Sequence, residues 1–438
     1  MRDLMVLGFT LIFIAISFKS TFTAYLLWGW AGLISLNAYL YGFMVSVPYV
    51  QLYAIITLVS LILRKDTNLE KFKFNRTSIL FTIFAVHGFL CAIFAYPGLV
   101  SNFEILGNIV KTVLFCVLMP LFVTKRLRLH VIVTMVALAI SFHGITDGLK
   151  FLASGGAHNA RGIPKFGDNN HFALVLVMVL PVLLYLTQYS ALKFVRIGFF
   201  GVMMLTVLAV VATGSRGGLI GMFAAATWLL LKSRRKFMGV MVIATCSLLV
   251  VQLAPATWSS RMKTIESAET DNSFMSRVTA WKVSSAIAVA NPVFGGGFQA
   301  VQSYTVWAQF KDSPGLLGFI DTPQTRSGVA AHSIWFETLG DLGFVGFFIF
   351  LIMLINAFIT LKEINRLTKT AGDSYRWAAD LANTLSASMF VYMISGSALS
   401  AAYFEIPYFL MMLMEVIKQV ILKDLGSSKV MITGRDYV

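Results

Sequence analysis

Four separate segments of this apolar chain each carry a basic or proton-transferring side chain. Arg161, Arg216 and Arg277 stay charged at any physiological pH, and a guanidinium group binds phosphate oxygens in a bidentate way. His332 carries an imidazole, which is the side chain best suited to accept a proton near neutral pH. Together these residue types predict a site where arginines bind an anion and a histidine acts as a base.

Arg216 has the most specific surroundings, because it lies among three glycines in the stretch VATGSRGGLI, residues 211–220. Glycine lets backbone or substrate approach closely, and the two glycines after the arginine open the next apolar run. The amides and dipole of a helix N-terminus favour an anion. Alternatively, the glycines pack helices together and the arginine only reaches the polar surface. Arg161 and Arg277, predicted on the same face, favour the anion site.

Other polar residues are weaker candidates. Lys165 and His171 follow Arg161 in HNARGIPKFGDNNHF and are candidate pocket residues on their chemistry. His332 has an alternative role of its own, which is to cap a helix or to bond within its loop. Glu269 and Asp271 resemble an acidic pair that holds a divalent metal, but the polar run SAETDNS around them favours a solvated loop. We therefore predict no metal site and no cofactor.

The composition places these residues in a membrane protein. Hydrophobic residues make up 58% of the 438 residues and charged residues only 13%, whereas charged residues are about a quarter of soluble proteins. Apolar runs long enough to cross a bilayer as a helix recur along the chain. We predict an all-α polytopic integral membrane protein of about twelve transmembrane helices, two of them preferred over three within residues 5–63. The other predicted spans lie near 78–97, 107–124, 131–152, 171–189, 197–213, 217–231, 237–253, 335–361, 379–397 and 403–421.

The net charge of +15 indicates orientation more than nucleic-acid binding. Lysine and arginine cluster at every second connection, for example at 125–128 and 232–236, which is typical of cytoplasmic loops under the positive-inside rule. Two helices before Arg64 would also place the N-terminus in the cytoplasm. The intervening connections would then lie outside: 98–106, 154–170, 214–217, 254–334 and 398–402. All the candidate residues fall on that outer side.

The outside segment at 254–334 is too long to be a mere connector. Apolar residues at helical spacing predict an amphipathic helix against the bundle, ended by Asn291-Pro292 and followed by a glycine turn: Phe274, Val278, Trp281 and Ala288. This segment divides the chain. We predict N-terminal transmembrane helices in 1–253, a large outside loop over 254–334, C-terminal transmembrane helices in 335–421 and a cytoplasmic tail over 422–438.

Two classes of function fit an anion site facing outward from a helix bundle. A transporter would carry the anion, whereas an enzyme would use a lipid-linked diphosphate as leaving group. In the enzyme, arginines offset the charge growing on the diphosphate, a histidine takes the acceptor hydroxyl proton and the bundle holds the lipid tail. Neither GxxxxGK[ST] nor a strand-helix GxGxxG occurs, so no nucleotide partner is expected. A polyprenyl-lipid transporter stays the alternative, although paired repeats are not evident.

The order of the motifs is similar to that of the O-antigen ligase superfamily of bacteria. GSRGG at 214–218 precedes R-x₃-W-x₉-NP-x₂-GGG in the outside segment, and H-x₄-E-x₂-G-x₂-G-x₂-G follows from His332. The motifs cover about 155–360, and the opening MRDL with Trp28-Gly29-Trp30 also resembles the ligase-like branch. The superfamily includes ligases that join O-antigen to lipid A-core, O-antigen polymerases and oligosaccharyltransferases that glycosylate pilins and other proteins.

The resemblance implies a GT-C-like, inverting and metal-independent glycosyltransferase in the bacterial inner membrane, with its active site facing the periplasm. Its donor would be a glycan on undecaprenyl diphosphate. We prefer lipid A-core as the acceptor, with transfer to a protein or to a growing glycan as alternatives.

The resemblance also implies roles for single residues. His332 matches the family's essential histidine, expected as catalytic base, and Arg216 matches its essential arginine, expected on the donor diphosphate. Arg277 corresponds to a further basic residue, and Arg161 is a softer match. The remaining pocket candidates, besides Lys165 and His171, are Gln299, Tyr403 and Glu405.

Overall fold

The computed structural model describes residues 2–63, 74–232, 272–323 and 327–433. All regular secondary structure in these ranges is helical, so the predicted all-α class is confirmed. The predicted span at 237–253 and the acidic residues Glu269 and Asp271 lie outside the described residues. The α-helices are α1 (Arg2–Ser17), α2 (Thr21–Ile34), α3 (Tyr49–Leu63), α4 (Arg76–Ile93), α5 (Asn102–Phe122), α6 (Arg126–Ala153), α7 (Asn169–Tyr189), α8 (Lys193–Ala212), α9 (Arg216–Lys232), α10 (Asn272–Ala290), α11 (Tyr304–Phe310), α12 (Ile334–Ala371), α13 (Arg376–Gly396) and α14 (Glu405–Thr433).

Six of the described helices are long and apolar enough to cross a membrane, which is consistent with an integral membrane protein: α4, α5, α6, α7, α8 and α12. The total of twelve spans stays a prediction. Among the six, α7 is the most enclosed, with 72% of its most apolar window buried. A helix surrounded by others on most sides gives a fixed position to the residues at its ends.

The N-terminal part contains three helices before residue 64, where we predicted two or three transmembrane helices and preferred two; the number that cross the membrane stays a prediction. The helices α1 to α3 have only 14 to 16 residues each, shorter than the usual span of about 20, and apolar length alone does not separate them. The backbone N–H of Met44 donates to the carboxylate of Asp3 at 3.4 Å. The start of α1 therefore lies beside the segment that precedes α3. If all three crossed the membrane, the same charge rule would place the N-terminus outside rather than in the cytoplasm.

The helix predicted in the long loop is present as α10, and it ends at Ala290, directly before Asn291-Pro292. It packs closely against α12. A Cβ atom on Gly340 of α12 would lie 2.9 Å from the Cβ of Ser284 on α10, which is closer than carbon atoms pack. The glycine at 340 thus permits α10 to lie directly on α12.

Helix α12 is interrupted at Gly343, whose φ of 68° is a left-handed value that favours glycine. The interruption leaves carbonyl groups of α12 available, and the glycine turn after α10 binds them. Gly296 N–H donates to Gly340 O at 2.8 Å, and Gly297 N–H donates to Asp341 O at 3.0 Å. In return, Phe344 N–H donates to Pro292 O at 2.8 Å. The turn and the kink therefore form one unit.

Helix α14 runs to Thr433, into the segment 422–438 that we predicted as a separate tail. Residues 397–404 connect it to α13. This short connection lies at the same end of the bundle as the starts of α7, α9 and α12, as the contacts below show.

Candidate active site

The connection at 397–404 brings three of the predicted site residues together. The backbone N–H of His332 donates to Ser400 Oγ at 2.8 Å, and the Nε2 atom of His171 lies 2.9 Å from Ser400 O. Arg277 Nη1 donates to Ala398 O at 3.5 Å. Three distant parts of the sequence therefore meet on one short segment. We call His171, Arg277, His332 and Ser400 the histidine cluster.

His332 adopts an unusual backbone conformation two residues before α12 begins at Ile334. Its φ is 45°, a left-handed value that costs a residue with a side chain about 1–3 kcal/mol. The surroundings hold it there: Trp281 Nε1 donates to Ala331 O at 2.6 Å, and the Trp281 ring stacks on Phe336 with 5.2 Å between ring centroids. The tryptophan of the R-x₃-W motif thus supports the segment that presents His332.

The imidazole of His332 has the properties of a base. Its Nδ1 atom is buried and has no hydrogen-bond partner among the described residues. Burial lowers the pKa of His332, and the positive charge of Arg277 lowers it further. A lowered pKa keeps the ring neutral at neutral pH, which a proton acceptor requires.

Asp168 fixes His171 at the start of α7. Its Oδ1 atom accepts hydrogen bonds from the backbone N–H groups of Asn170 at 2.9 Å and of His171 at 2.8 Å, and it lies 2.8 Å from His171 Nδ1. Burial raises the pKa of the Asp168 carboxyl, but the hydrogen bonds from His171 outweigh it and hold that pKa well below its usual range. The carboxylate is therefore ionised at neutral pH.

Arg216 begins α9, as predicted from the glycine-rich stretch. Ser215 caps this helix, because its Oγ accepts from Gly218 N–H at 3.1 Å while donating to Asn170 Oδ1 at 2.8 Å. Asn169 Nδ2 also donates to Thr213 O at 2.9 Å. The start of α9 is thus tied to the first turn of α7, which carries His171. Arg216 is half-buried at this junction, beside a helix N-terminus.

One of the neighbouring glycines has a packing role. A Cβ atom on Gly218 would lie 2.7 Å from the Cβ of Ala173 on α7. The packing explanation therefore holds for Gly218. The packing role of Gly218 is compatible with an anion site at Arg216. The close approach of α7 and α9 places the first turns of the two helices side by side.

Three other predicted residues line a separate cavity of about 430 Å³. Lys165 forms an ion pair with Glu405 and donates to Gly32 O, and Tyr403 lies next in the wall. Most of the remaining lining is apolar or aromatic and comes from α2, α5 and α14. We call this cavity the aromatic cleft, lined by Trp28, Gly29, Gly32, Leu33, Ser35, Val50, Gln51, Asn108, Lys111, Thr112, Phe115, Cys116, Val136, Lys165, Tyr403, Phe404, Glu405, Ile406 and Phe409.

The aromatic cleft and the histidine cluster share a boundary. A small pocket is lined by residues of both, with Lys165 and Phe404 from the cleft and His171 from the cluster. Phe166 and Leu174 complete it. The chain thus places an apolar cavity next to the polar group of residues that includes His332.

Two predicted residues have other surroundings. Arg161 is exposed, although the N–H of its neighbour Ala160 donates to Ala212 O at 2.9 Å, close to the GSRGG turn. Gln299 has a left-handed φ of 59° in the glycine turn, and its backbone faces the Asp341 carboxylate. Its visible role is therefore to shape the turn.

Sequence reasoning missed several residues that hold the site. Ser400 belongs to no sequence motif, and only its contacts with His332 and His171 show that it holds the site. Glu337 and Asp341 are buried on one face of α12; Glu337 accepts from Ala402 N–H at 2.8 Å, and Asp341 accepts from the Tyr403 hydroxyl at 3.1 Å. The glutamate of the H-x₄-E motif thus holds the 397–404 connection in place. Two carboxylates spaced i, i+4 in an apolar helix were the signal that could have found this pair.

Comparison with known families gives two matches. Residues 201–351 match the family described as O-antigen ligase, and residues 1–191 match a family of unknown function. The first match includes Arg216, Arg277 and His332, and it supports the O-antigen ligase/polymerase superfamily and a glycosyltransferase-like enzyme role. No curated protein matches the chain.

Proposed function

We propose that this protein is a glycosyltransferase that moves preassembled O-antigen polysaccharide from undecaprenyl diphosphate to lipid A-core. It would act on the periplasmic side of the bacterial inner membrane, in lipopolysaccharide biosynthesis. The match of residues 201–351 supports O-antigen ligase or polymerase activity in general. The donor, the acceptor, the compartment and the residue roles are part of the proposal.

The observation that carries the proposal is the convergence at 397–404. A half-buried histidine, whose Nδ1 atom has no hydrogen-bond partner among the described residues, lies with Arg277 against that connection. The first turn of α7 links the same cluster to the helix that Arg216 begins. A base beside fixed cations is the arrangement that glycosyl transfer from a diphosphate requires. The arginines stabilise the charge on the leaving group, while the base activates the incoming hydroxyl.

The proposed reaction is a single displacement. The acceptor hydroxyl gives its proton to His332, and its oxygen attacks the anomeric carbon of the donor glycan. The bond between that carbon and the diphosphate oxygen breaks, and undecaprenyl diphosphate leaves with the electron pair. Arg216 binds the diphosphate in a bidentate way, and Arg277 adds a second positive charge. Attack opposite the leaving group inverts the anomeric carbon. No metal or nucleotide takes part in this scheme.

The aromatic cleft supports a substrate with an apolar part. Its wall combines five aromatic side chains, among them Trp28, Phe115 and Phe409, with the polar groups of Lys111 and of the Lys165–Glu405 pair. Sites for amphipathic ligands have this composition of a mostly apolar surface with a few placed polar groups. We assign the cleft to part of a lipid-linked substrate.

The test is transfer in vitro with purified protein, undecaprenyl-diphosphate-linked glycan and lipid A-core. We expect joined lipopolysaccharide from the wild type and none from His332→Ala or Arg216→Ala. His158→Ala is the matched control, since the ring of His158 pairs with Asp147 of α6 at 2.9 Å.

Each other outcome has a defined meaning. Donor consumption that needs a pilin or a second glycan chain in place of lipid A-core would move the assignment to a protein oligosaccharyltransferase or a polymerase. Lipid movement without cleavage of the sugar–phosphate bond would instead indicate a transporter and overturn the enzyme proposal.

A further inference from the structure

Both ring nitrogens of His171 face groups that only accept hydrogen bonds. Nδ1 lies 2.8 Å from Asp168 Oδ1, and Nε2 lies 2.9 Å from the carbonyl oxygen of Ser400. A neutral imidazole carries one N–H and can satisfy only one such acceptor. Both contacts are hydrogen bonds only when the ring is doubly protonated. The geometry therefore identifies His171 as an imidazolium cation paired with an ionised Asp168.

Ser400 links this cation to His332 through its two oxygen atoms. The carbonyl oxygen accepts from His171 Nε2, and the hydroxyl oxygen accepts from the backbone N–H of His332 at 2.8 Å. The second bond holds a residue whose φ of 45° is unfavourable outside glycine. Backbone strain of this kind persists only where the surroundings fix it. Ser400 is therefore placed to set the direction in which the His332 ring points.

We propose that Asp168, His171 and Ser400 are positioning residues for His332, with Ser400 fixing its orientation and the His171 cation offsetting the negative charge of Asp168 beside it. The proposal deepens the proposed function and rests on it. The proposal distinguishes two effects on His332. Ser400 acts on the orientation of His332, and His171 acts on the charge that surrounds it.

The charged groups that face His332 come from two elements. Arg277 lies on α10, and His171 with Asp168 lies at the start of α7. The two cations lower the pKa of His332, whereas the Asp168 carboxylate raises it. Removal of the His171 charge alone leaves the carboxylate uncompensated, so the pKa of His332 must rise. Removal of both charges returns it toward its starting value.

The first experiment separates geometry from charge with serine variants. Ser400→Ala removes the hydroxyl that accepts from His332, and we expect kcat to fall about ten- to a hundredfold, with KM for the donor and the pH profile nearly unchanged. Ser400→Thr keeps the hydroxyl and should restore most of the rate. Ser397→Ala is the matched control, because the Ser397 hydroxyl accepts from Trp335 Nε1 at 2.8 Å and not from His332.

The second experiment follows the pH dependence of transfer. In His171→Gln we expect the acidic limb of the pH profile of kcat/KM to move to higher pH. The rate should recover as the pH rises. The double variant Asp168→Asn/His171→Gln should move that limb back, which a merely structural role of either residue does not predict. His158→Gln, at a histidine paired with Asp147, should leave the limb in place.

A readout independent of transfer distinguishes this proposal from the proposed function. We would titrate the full-length protein, labelled at histidine, by NMR in detergent. We expect His171 to keep both ring protons throughout the neutral pH range. We also expect the midpoint of the His332 titration to move to higher pH in His171→Gln but not in His158→Gln. A His171 ring that loses a proton near pH 6.5, as a free imidazole does, overturns the proposal whether or not transfer is observed. An unchanged His332 midpoint in His171→Gln also overturns it.

Discussion

The histidine cluster and the aromatic cleft lie side by side but are built on different physical principles. The cluster is polar, and hydrogen bonds from α7, α10 and His332 converge on the backbone and hydroxyl of one connection. The cleft is held by ring packing, such as the stack of Phe115 on Tyr25 with 4.4 Å between centroids, and by one ion pair at its edge. Directional bonds fix where a proton or a charge sits, whereas ring packing fixes only shape.

The two regions also come from different parts of the chain. The stretch that matches the O-antigen ligase family contributes Arg277 and His332 to the cluster, and none of its described residues lines the cleft. The cleft is built from residues 28–165 and 403–409. We therefore expect variants of the cluster to change the rate of the chemical step, and variants of the cleft to change substrate binding.

The largest effect should come from His332→Ala. Without the base, we expect kcat for glycan transfer to fall about 10²- to 10⁴-fold, measured by single-turnover formation of product. Comparable loss in a variant confined to the cleft, with the fold intact by circular dichroism, would remove the distinction between the two regions.

Arg216→Lys should be the next most damaging change, although it keeps the positive charge. An ammonium group does not make the bidentate contact of a guanidinium, so we expect a loss of about 10- to 10³-fold in kcat. Arg196→Lys is the matched control, since Arg196 donates to Ser190 O at the opposite end of α8 from the GSRGG turn. Near-normal transfer by Arg216→Lys would show that Arg216 is only an interfacial anchor.

Phe115→Ala should have a different signature. Loss of this ring removes apolar contact in the cleft, and we expect KM for a lipid-linked substrate to rise about ten- to a hundredfold while kcat changes little. Steady-state kinetics with long-chain and short-chain donors would measure it. A fall in kcat at unchanged KM would place Phe115 with the chemical step and contradict the division proposed here.

Arg277→Gln should shift the pH dependence by less than about one pH unit. The Arg277 charge lowers the pKa of His332, so its removal raises that pKa and moves the acidic limb of kcat/KM to higher pH. The unaltered protein should keep its activity below the pH at which a free imidazole becomes protonated. A shift of the limb to lower pH would contradict the sign of this interaction.

Addition of EDTA should have no effect, because positive side chains offset the charge of the leaving diphosphate in the proposed scheme. Transfer assays with and without chelator, followed by addition of Mg²⁺ or Mn²⁺, would test this. A loss that a divalent cation restores would promote Glu269 and Asp271 to a metal site.

The sequence predicted the long helices because each has a continuous apolar run with a recognisable end. Helix α10 ends at Asn291-Pro292 as expected, since proline cannot continue the helix. The three helices before residue 64 were harder because their lengths fall below that of a normal span. A kink such as that at Gly343 depends on a partner, here the glycine turn, and no local pattern reveals that pairing.

The sequence pointed to charged candidate residues by their type, but not to the contacts that hold them. Lys165 and Glu405 were both candidates, yet their ion pair joins residues distant in sequence and places them in the cleft. Ser400 was invisible because a serine in a short connection has no periodicity or motif. Side chains that bind substrate can be recognised by type, whereas those that orient them are defined only by their contacts.

The union of the glycine turn with the kink of α12 limits how this enzyme could open. Hydrogen bonds in both directions join 292–297 to 340–344, and a methyl group on Gly295 would lie only 2.4 Å from the nitrogen of Gly343. Such a junction transmits rigid-body motion and does not hinge. In the proposed reaction, the entry of two lipid substrates would therefore be accommodated elsewhere, and a crosslink between turn and kink should leave turnover intact.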